Sequence, residues 1–225
     1  MTAPNSLRTS APATCLYRTA AEGPCPTILS DIYREDVNIA IWRRALAPQV
    51  QDVVGHFVES HGSFRAAIST TPSRALDAVS TLLGKAGDTV AISSDVAELV
   101  DMFCCLFDLG EVGLRLGVVD HAMCPRFHVD RVPCRLVTTY QGVGTEWLPH
   151  HVVDRVQAAP GTPGFDTFQL GIGQDRTSIR QLDCADVGLL KGTLWEGNER
   201  AGLVHRSPAL QPGDRRLVLT LDFLG

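Results

Sequence analysis

Two histidines and one aspartate are spaced so that they could bind a single metal ion. His128 and Asp130 lie two positions apart, and residues two apart on a β-strand project to the same face. His205 lies far downstream and would reach the site from another strand. Two imidazoles and one carboxylate on one side of a metal form the facial triad of non-haem Fe(II) sites, which leaves positions open for a co-substrate and O2. The pattern therefore predicts a metal site made of His128, Asp130 and His205.

An arginine pair, Arg215 and Arg216, follows His205 on what we expect to be the next strand. A guanidinium can donate two parallel hydrogen bonds to a carboxylate, so an arginine at this point could bind a dicarboxylate co-substrate. In residues 216–223 the odd-numbered positions are all apolar, which predicts that they pack on a helical layer while the even-numbered positions face the interior. We therefore expect Arg216 to contact the co-substrate, with Arg215 as a second candidate.

The composition limits the class of protein. The 225 residues are 44% hydrophobic and 20% charged, which is enough to bury a substantial core. A net charge of -5 argues against nucleic acid as a partner, since phosphate binding requires a basic surface. No apolar run reaches membrane-spanning length and no secretory signal begins the chain, so we expect a cytoplasmic protein that does not enter membranes. The seven cysteines are then expected to be reduced.

The chain divides into three parts by texture. Residues 1–27 are rich in Ala, Thr, Ser and Pro, which predicts a mobile arm. Residues 28–110 are predicted to be helical, and residues 111–225 are predicted to form strands, the two parts making one compact unit.

Apolar residues recur at helical spacing in 50–58, 76–83 and 96–107, which predicts three helices. Residues 93–95 supply an N-cap for the third helix, and Gly110 a stop.

Short alternating or β-branched runs predict strands at 112–119, 135–141, 167–172, 178–182, 187–191, 203–205 and 216–223. Several short strands without intervening helices favour an antiparallel sandwich or barrel over a parallel sheet. We therefore predict an α+β fold in which an N-terminal helical layer packs on a C-terminal jelly-roll barrel.

The C-terminal half resembles the double-stranded β-helix of Fe(II)/2-oxoglutarate-dependent dioxygenases, on the evidence of the His-x-Asp, the distal histidine and the following arginine. The segment 140–147 (YQGVGTEW) resembles the turn that follows the motif in prolyl-hydroxylase-like members. The resemblance implies that the three predicted ligands hold Fe(II). It also implies that Arg216 binds the distal carboxylate of 2-oxoglutarate, assisted by Tyr140 or Thr138, and that the product is an oxidised or hydroxylated substrate.

The chain as a whole resembles an uncharacterised bacterial family of unknown function. The resemblance spans most of residues 31–224, and the segments that carry it are Phe127–Asp130, Thr139–Leu148, Leu189–Gly192 and Val204–Pro208. Members of this family are often encoded near zinc-responsive genes and metallochaperone GTPases, which implies a link to zinc homeostasis.

Three alternatives stay open at this point. Cys124 and Cys134 flank His128, and thiolate with imidazole is zinc chemistry, so the site could instead hold zinc without 2-oxoglutarate. A second alternative is a non-catalytic jelly-roll binding module. In the third, Asp130 forms a salt bridge with Arg131 or Arg135, and the distal histidine is an ordinary interior residue. Dependence on 2-oxoglutarate separates the oxygenase from the other classes.

The substrate is not encoded in any recognisable motif, and neither is the oligomeric state. Trp147, His150, His151 and Trp195 are candidates for the substrate mouth because they lie in or beside loops that we expect to surround the barrel opening. The substrate could be a small molecule or a protein.

Overall fold

The computed structural model describes residues 17–84, 89–153, 167–168 and 176–224, with the backbone alone described at 167, 168 and 176. The strands, in chain order, are β1 (Thr19–Gly23), β2 (Val37–Trp42), β3 (Phe64–Thr70), β4 (Val112–Val119), β5 (Phe127–His128), β6 (Cys134–Gln141), β7 (Glu146–Leu148), β8 (Thr167–Phe168), β9 (Arg180–Gln181), β10 (Val187–Lys191), β11 (Val204–Arg206) and β12 (Arg216–Asp222). The helices are α1 (Pro48–Ser60), α2 (Pro72–Leu83) and α3 (Val90–Phe107), with 3-10 turns at Pro26–Tyr33, His150–Val152 and Arg176–Ser178.

The strands form two sheets, and the chain crosses between them repeatedly from β4 onward. The larger sheet has the order β1-β2-β10-β6-β12-β4-β3, and the smaller has the order β8-β5-β11-β7-β9. The β1/β2 pair is parallel. The other pairs within the described strands are antiparallel. Buried residues of both sheets, including Ile39, Val137, Val218 and Trp147, form one cluster, so an apolar interior lies between the sheets.

The helices pack on the outer face of the larger sheet. Leu217, Leu219 and Leu221 of β12 share one apolar cluster with Val96 and Phe103 of α3, whereas Val218 belongs to the interior cluster. This confirms the predicted alternation of β12, because a strand exposes successive side chains to opposite faces. Within the described residues, no helix combines the length and the apolar character needed to cross a membrane.

The N-terminal half differs from the prediction in two ways. The predicted helical part contains β2 and β3, and the predicted arm contains β1, while residues 1–16 of that arm lie outside the described residues. Strand β2 (VNIAIW) is buried on both faces over most of its length, so it lacks the alternation that distinguishes a strand from a buried helix. The structure is therefore a mixed α/β fold with two β-sheets.

The predicted cap of α3 is also wrong. The helix begins at Val90, and the Ser93 hydroxyl inside it donates to the Thr89 carbonyl. Asp95 lies within the helix, where it has a different role described below. The helix ends at Phe107 and is capped by Asp108, whose φ of 53° is left-handed, so the stop is not at Gly110.

Most predicted strands of the C-terminal half are confirmed. Strands β4 and β10 have the predicted bounds, β6 and β12 differ by one residue at one end, and β9 and β11 differ by one to two residues at both ends. Of the run 167–172, the structure describes only β8, and the rest lies outside the described residues.

Candidate metal centre

The smaller sheet brings the two predicted histidine ligands side by side. His128 ends β5 and is the register partner of His205 on β11, with ring centroids 4.6 Å apart. Asp130 follows two residues later, beyond the end of the strand. Ligand atoms of all three residues lie within 4.8 Å of one another. The structure therefore brings together the three residues that the spacing predicted, although the aspartate is on a loop and not on the strand itself.

Backbone carbonyls fix the orientation of both imidazoles. His128 Nδ1 lies 2.9 Å from the Arg126 carbonyl oxygen, and His205 Nδ1 lies 3.2 Å from that of Leu203. A carbonyl oxygen only accepts, so each Nδ1 carries a proton and donates. Each Nε2 then faces Asp130, at 3.6 Å from Oδ1 for His128 and 3.3 Å from Oδ2 for His205. A neutral imidazole with its Nδ1 hydrogen-bonded in this way presents Nε2 as a metal ligand.

Asp130 is held as a carboxylate by its surroundings. Burial by itself would raise the pKa of Asp130, but the two facing imidazoles and Arg135 lower it well below its usual range. Arg135 lies 2.8 Å from Oδ2, and Asp222 accepts from its Nε at 2.7 Å. The ion pair with Arg135, one of the alternatives drawn from the sequence, is thus present, and it coexists with the cluster instead of replacing it. The same carboxylate raises the pKa of His128 by its hydrogen bond.

A close backbone approach positions the loop that carries Asp130. The Thr193 amide donates to the Asp130 carbonyl at 2.9 Å. A Cβ atom at Gly192 would lie 2.0 Å from the Val132 carbonyl oxygen and 2.6 Å from that of Asp130. Only glycine fits this contact, so Gly192 on the neighbouring chain segment supports the position of the loop that carries Asp130.

Arg216 lies on the interior face of β12, as the alternation predicts, and is 2% exposed. Its NH2 donates to the Thr139 hydroxyl at 3.0 Å and to the Thr145 hydroxyl at 3.1 Å. Its Nε has no hydrogen-bond partner, and no acidic group in the described part of the chain pairs with it. Burial lowers the pKa of Arg216 to about 10. The interior therefore contains a guanidinium to which the described residues supply no counter-charge.

The sequence reasoning missed Thr139 and Thr145 as partners of this arginine. The parity of β6 could have identified Thr139, because it shares the interior face of the larger sheet with Arg216 across the β6/β12 pair. Thr145 follows the turn after β6, where no periodic signal exists.

Tyr140 and Thr138 do not lie with Arg216, which corrects their predicted role. The Tyr140 hydroxyl donates to Asp95 Oδ2 at 2.6 Å, on the face that packs against α3. Asp95 is also paired with Arg44 at 2.7 Å, so it joins Tyr140 and Arg44 in one polar network between α3 and the larger sheet. Thr138 shares the outer face, and its hydroxyl is 3.4 Å from the Ala185 carbonyl oxygen. The physical reason is the two-residue period, which sends Tyr140 and Thr139 to opposite faces.

The second arginine candidate also points away from the interior, since Arg215 NH1 donates to the Val58 carbonyl of α1 at 3.0 Å. Among the predicted mouth residues, Trp195 packs against Tyr33 and Phe107 on the helical side. Trp147, His150 and His151 line one pocket of about 550 Å³. The structure therefore gathers these three at one opening, and it separates Trp195 from them.

Cysteines take no part in the cluster within the described residues. Cys134 is fully buried, and burial raises the pKa of its thiol. Cys124 is exposed. The donor set is therefore nitrogen and oxygen alone, without the thiolates that the zinc alternative used.

Two solved dioxygenase structures are similar to this chain in fold. The dioxygenase for auxin oxidation from rice matches with a TM-score of 0.52 and 11% identity, covering 92% of this chain and 83% of that one. The dioxygenase for auxin oxidation 1 from Arabidopsis thaliana, solved as a binary complex with 2-oxoglutarate, matches with a TM-score of 0.50 and 11% identity, covering 92% of each chain. At such low identity the likeness concerns the fold alone.

The family model described as "Protein of unknown function (DUF1826)" matches residues 23–222, so the chain belongs to that family. No curated protein sequence matches the chain. The predicted family resemblance is thereby confirmed, together with the likeness of its fold to dioxygenases, one of which was solved with 2-oxoglutarate.

Proposed function

We propose that this protein is an Fe(II)- and 2-oxoglutarate-dependent oxygenase that oxidises or hydroxylates an organic substrate. One observation carries the proposal: the interior between the sheets contains both a His/Asp/His cluster and a buried arginine that has no acidic partner among the described residues. In this interpretation the two sheets are the two halves of a double-stranded β-helix, and the helices form a layer outside it.

The donor set suits Fe(II). His128, Asp130 and His205 would hold the ion through two neutral imidazole nitrogens and one carboxylate, which is the set that leaves one side of the metal open. Fe(II) with bound 2-oxoglutarate and O2 would supply the oxidising chemistry. The task of the chain is to orient these ligands, and the backbone contacts at both Nδ1 atoms and at Gly192 do so.

The arginine suits the distal carboxylate of 2-oxoglutarate. Thr139 and Thr145 accept hydrogen bonds from Arg216 NH2 and so fix the plane of the guanidinium, while Nε remains able to donate. Val137 and Val218, buried beside it, keep water away and strengthen a charge-assisted hydrogen bond. The co-substrate would thus supply the counter-charge that the described residues do not.

Zinc at the same three ligands, in a protein of metal homeostasis, is the competing proposal. It would explain the His/Asp/His cluster, but it gives no reason for an uncompensated cation in the interior. For that reason we favour the oxygenase, and we leave zinc as an outcome of the experiment.

The deciding experiment measures metal content in protein purified without oxygen, followed by titration of the Fe(II) form with 2-oxoglutarate. We expect stoichiometric Fe(II) and a weak visible charge-transfer band that appears with 2-oxoglutarate. His128→Ala and Asp130→Ala should each lose the metal while the fold is retained. His121→Ala is the matched control, because His121 is exposed and hydrogen-bonded to Asp120 outside the cluster.

Two results would reject the assignment. Iron retained at full stoichiometry in both ligand variants would place the metal elsewhere. Zinc at full occupancy, with no spectral or calorimetric response to 2-oxoglutarate, would move the protein to zinc binding.

A further inference from the structure

A pocket of about 550 Å³ opens beside the metal cluster, between the β1/β2 edge of the larger sheet and the β7/β9 edge of the smaller sheet. Trp147 lines it from β7, where it is the register partner of the ligand His205 on β11. Ala20 of β1 lines it from the opposite side and also packs against the interior cluster. Two of its wall residues therefore also pack in the apolar interior, one of them next to His205, and the pocket volume suits a small organic molecule.

Arg18 forms a buried wall of this pocket and is 5% exposed. Its Nε donates to Asn198 Oδ1 at 3.0 Å, and its NH2 donates to the Gly197 carbonyl at 2.9 Å. Both partners are uncharged. Its NH1 is buried and has no hydrogen-bond partner. A buried cation with an unused donor is costly unless something else satisfies it, so the site fits a ligand whose acceptor the described part of the chain does not provide.

A second unused donor lines the same pocket. The indole Nε1 of Trp147 is buried and has no hydrogen-bond partner, and the residue is 5% exposed. Trp and Arg are the side chains that most often anchor a bound partner, because each combines a donor with a large contact surface. Two donors without acceptors on one pocket wall indicate a ligand that brings its own acceptor.

The charge around the pocket is mainly positive. Three lining residues, Arg18, Arg43 and Arg180, are cationic, and the one lining acid, Glu22, is paired with Arg43 at 2.8 Å. Behind the wall, burial lowers the pKa of Lys191 to about 8, and the positive charge of Arg18 contributes to this. An anion entering the pocket would therefore meet an excess of positive charge.

We propose that this pocket binds the anionic head group of the organic substrate, a carboxylate or a phosphate, with Arg18 NH1 and Trp147 Nε1 as donors. That the ligand is the substrate rests on the proposed oxygenase function, whereas the anion site itself does not. Trp147, Ile179 and Pro149 supply apolar surface for the organic body, which would then lie close to the metal cluster.

Binding of three matched probes tests the site: benzoate, phenyl phosphate and the neutral benzamide. Affinity is measured by calorimetry and ligand-observed NMR on the full chain loaded with Mn(II), with and without 2-oxoglutarate. We expect at least one anion to bind at millimolar concentration. Benzamide should bind at least about tenfold more weakly than that anion, which is the ratio expected for one charge-assisted hydrogen bond. The comparison of benzoate with phenyl phosphate identifies the preferred head group.

Arg18→Gln should lower the affinity for the anion by about tenfold or more and leave the affinity for benzamide unchanged. Arg74→Gln is the matched control, since Arg74 is an exposed arginine on α2 outside the pocket. Arg18 also ties Asn198 to the N-terminal segment, so each variant is checked by its thermal melt. If Arg18→Gln does not fold, Trp147→Phe decides, because it keeps the ring and removes the second donor.

The outcomes separate this proposal from the oxygenase. Failure of both anions to bind, binding of benzamide as tight as benzoate, or anion affinity indifferent to folded Arg18→Gln overturns the anion pocket. Anion binding that disappears in Arg216→Gln but not in Arg18→Gln also overturns it, because the probe would then occupy the co-substrate position. If 2-oxoglutarate does not bind while benzoate still requires Arg18, the oxygenase proposal fails and the anion pocket stands.

Discussion

Replacing Arg216 with methionine should make the protein more stable without 2-oxoglutarate and less stable than wild type with it. Burial lowers the pKa of Arg216 from 12.5 to about 10, which corresponds to a cost of about 3 kcal/mol for keeping the charge inside. Against this stand two hydrogen bonds to threonine hydroxyls, each contributing about 1 kcal/mol. Methionine fills the space of the aliphatic stem without a charge. The net expectation is a free energy of unfolding that rises by about 1 kcal/mol.

The assay is urea denaturation at neutral pH of both proteins loaded with Mn(II), with and without saturating 2-oxoglutarate. A ligand at a hundred times its Kd stabilises the folded state by about 2.7 kcal/mol, and only wild type should gain this. The order of stability therefore reverses when the co-substrate is added. Arg215→Met is the matched control: it removes the neighbouring guanidinium, which bonds the Val58 carbonyl on the helical side, and should keep the full response to 2-oxoglutarate.

Two results would refute the reasoning. If Arg216→Met is less stable than wild type by several kcal/mol without co-substrate, the guanidinium stabilises the fold by itself and is not an unpaired charge that a ligand neutralises. If 2-oxoglutarate stabilises both proteins equally, its carboxylate binds somewhere other than Arg216.

Three further changes test the elements around the site. Tyr140→Phe removes the donor to Asp95 and should cost about 1–2 kcal/mol in urea denaturation while the affinity for 2-oxoglutarate, measured by calorimetry, stays unchanged. Burial is the main cause that lowers the pKa of Lys191 from 10.5 to about 8, so between these pH values the unfolded chain binds more protons than the folded one. The free energy of unfolding of wild type should therefore rise relative to that of Lys191→Met as the pH increases from 8 to 10.5. Parallel profiles of unfolding free energy against pH for the two proteins would contradict this. Gly192→Ala should lower both the melting temperature and the metal affinity, because its Cβ would lie 2.0 Å from the Val132 carbonyl oxygen, and an unchanged metal affinity would show that the loop does not depend on this contact.

The parts of the fold with a two-residue period could be predicted from the sequence. In β12 a leucine occupies every second position, and these leucines face the helical layer. Arg216 has the other parity and faces the interior, as the alternation predicts. The same period gave the bounds of β4, in which buried and less buried positions alternate over most of the strand. Strand β10 is buried throughout, and its bounds could be predicted only from Asp186 before it and Gly192 after it.

The strands of the N-terminal half could not be predicted because their environments remove the signal. Strand β2 is covered on both sides, and β3 has the sequence FRAAIST, in which two adjacent alanines weaken the alternation. Strands β5 and β7 contain two and three residues, too few for any period to show. Their pairing with β11 depends on contacts between distant parts of the chain, which a local pattern does not contain.

The His/Asp/His cluster was predictable because few residue types bind metals, whereas the partners of Arg216 were not. Tyr140 was preferred for its hydroxyl, although its parity on β6 sends it to the helical side. Thr139, one residue earlier, lies on the interior face and makes the contact instead. Residue type selects which side chains can do the chemistry, but the register between strands decides which of them reach the site.

Arg135 of β6 and Arg216 of β12 lie on the same face of the larger sheet but differ in whether an acidic side chain pairs with them. Arg135 is neutralised on both sides, by Asp130 at 2.8 Å and by Asp222 at 2.7 Å. Arg216, on the same face of the same sheet, has only threonine hydroxyls within the described residues. Since an unpaired buried cation lowers stability, a structural role alone would favour either a carboxylate partner or an apolar replacement at this position. The asymmetry is accounted for if the counter-charge of Arg216 arrives with a ligand, and this is why that arginine, more than the metal cluster, distinguishes an oxygenase from a metal-binding module.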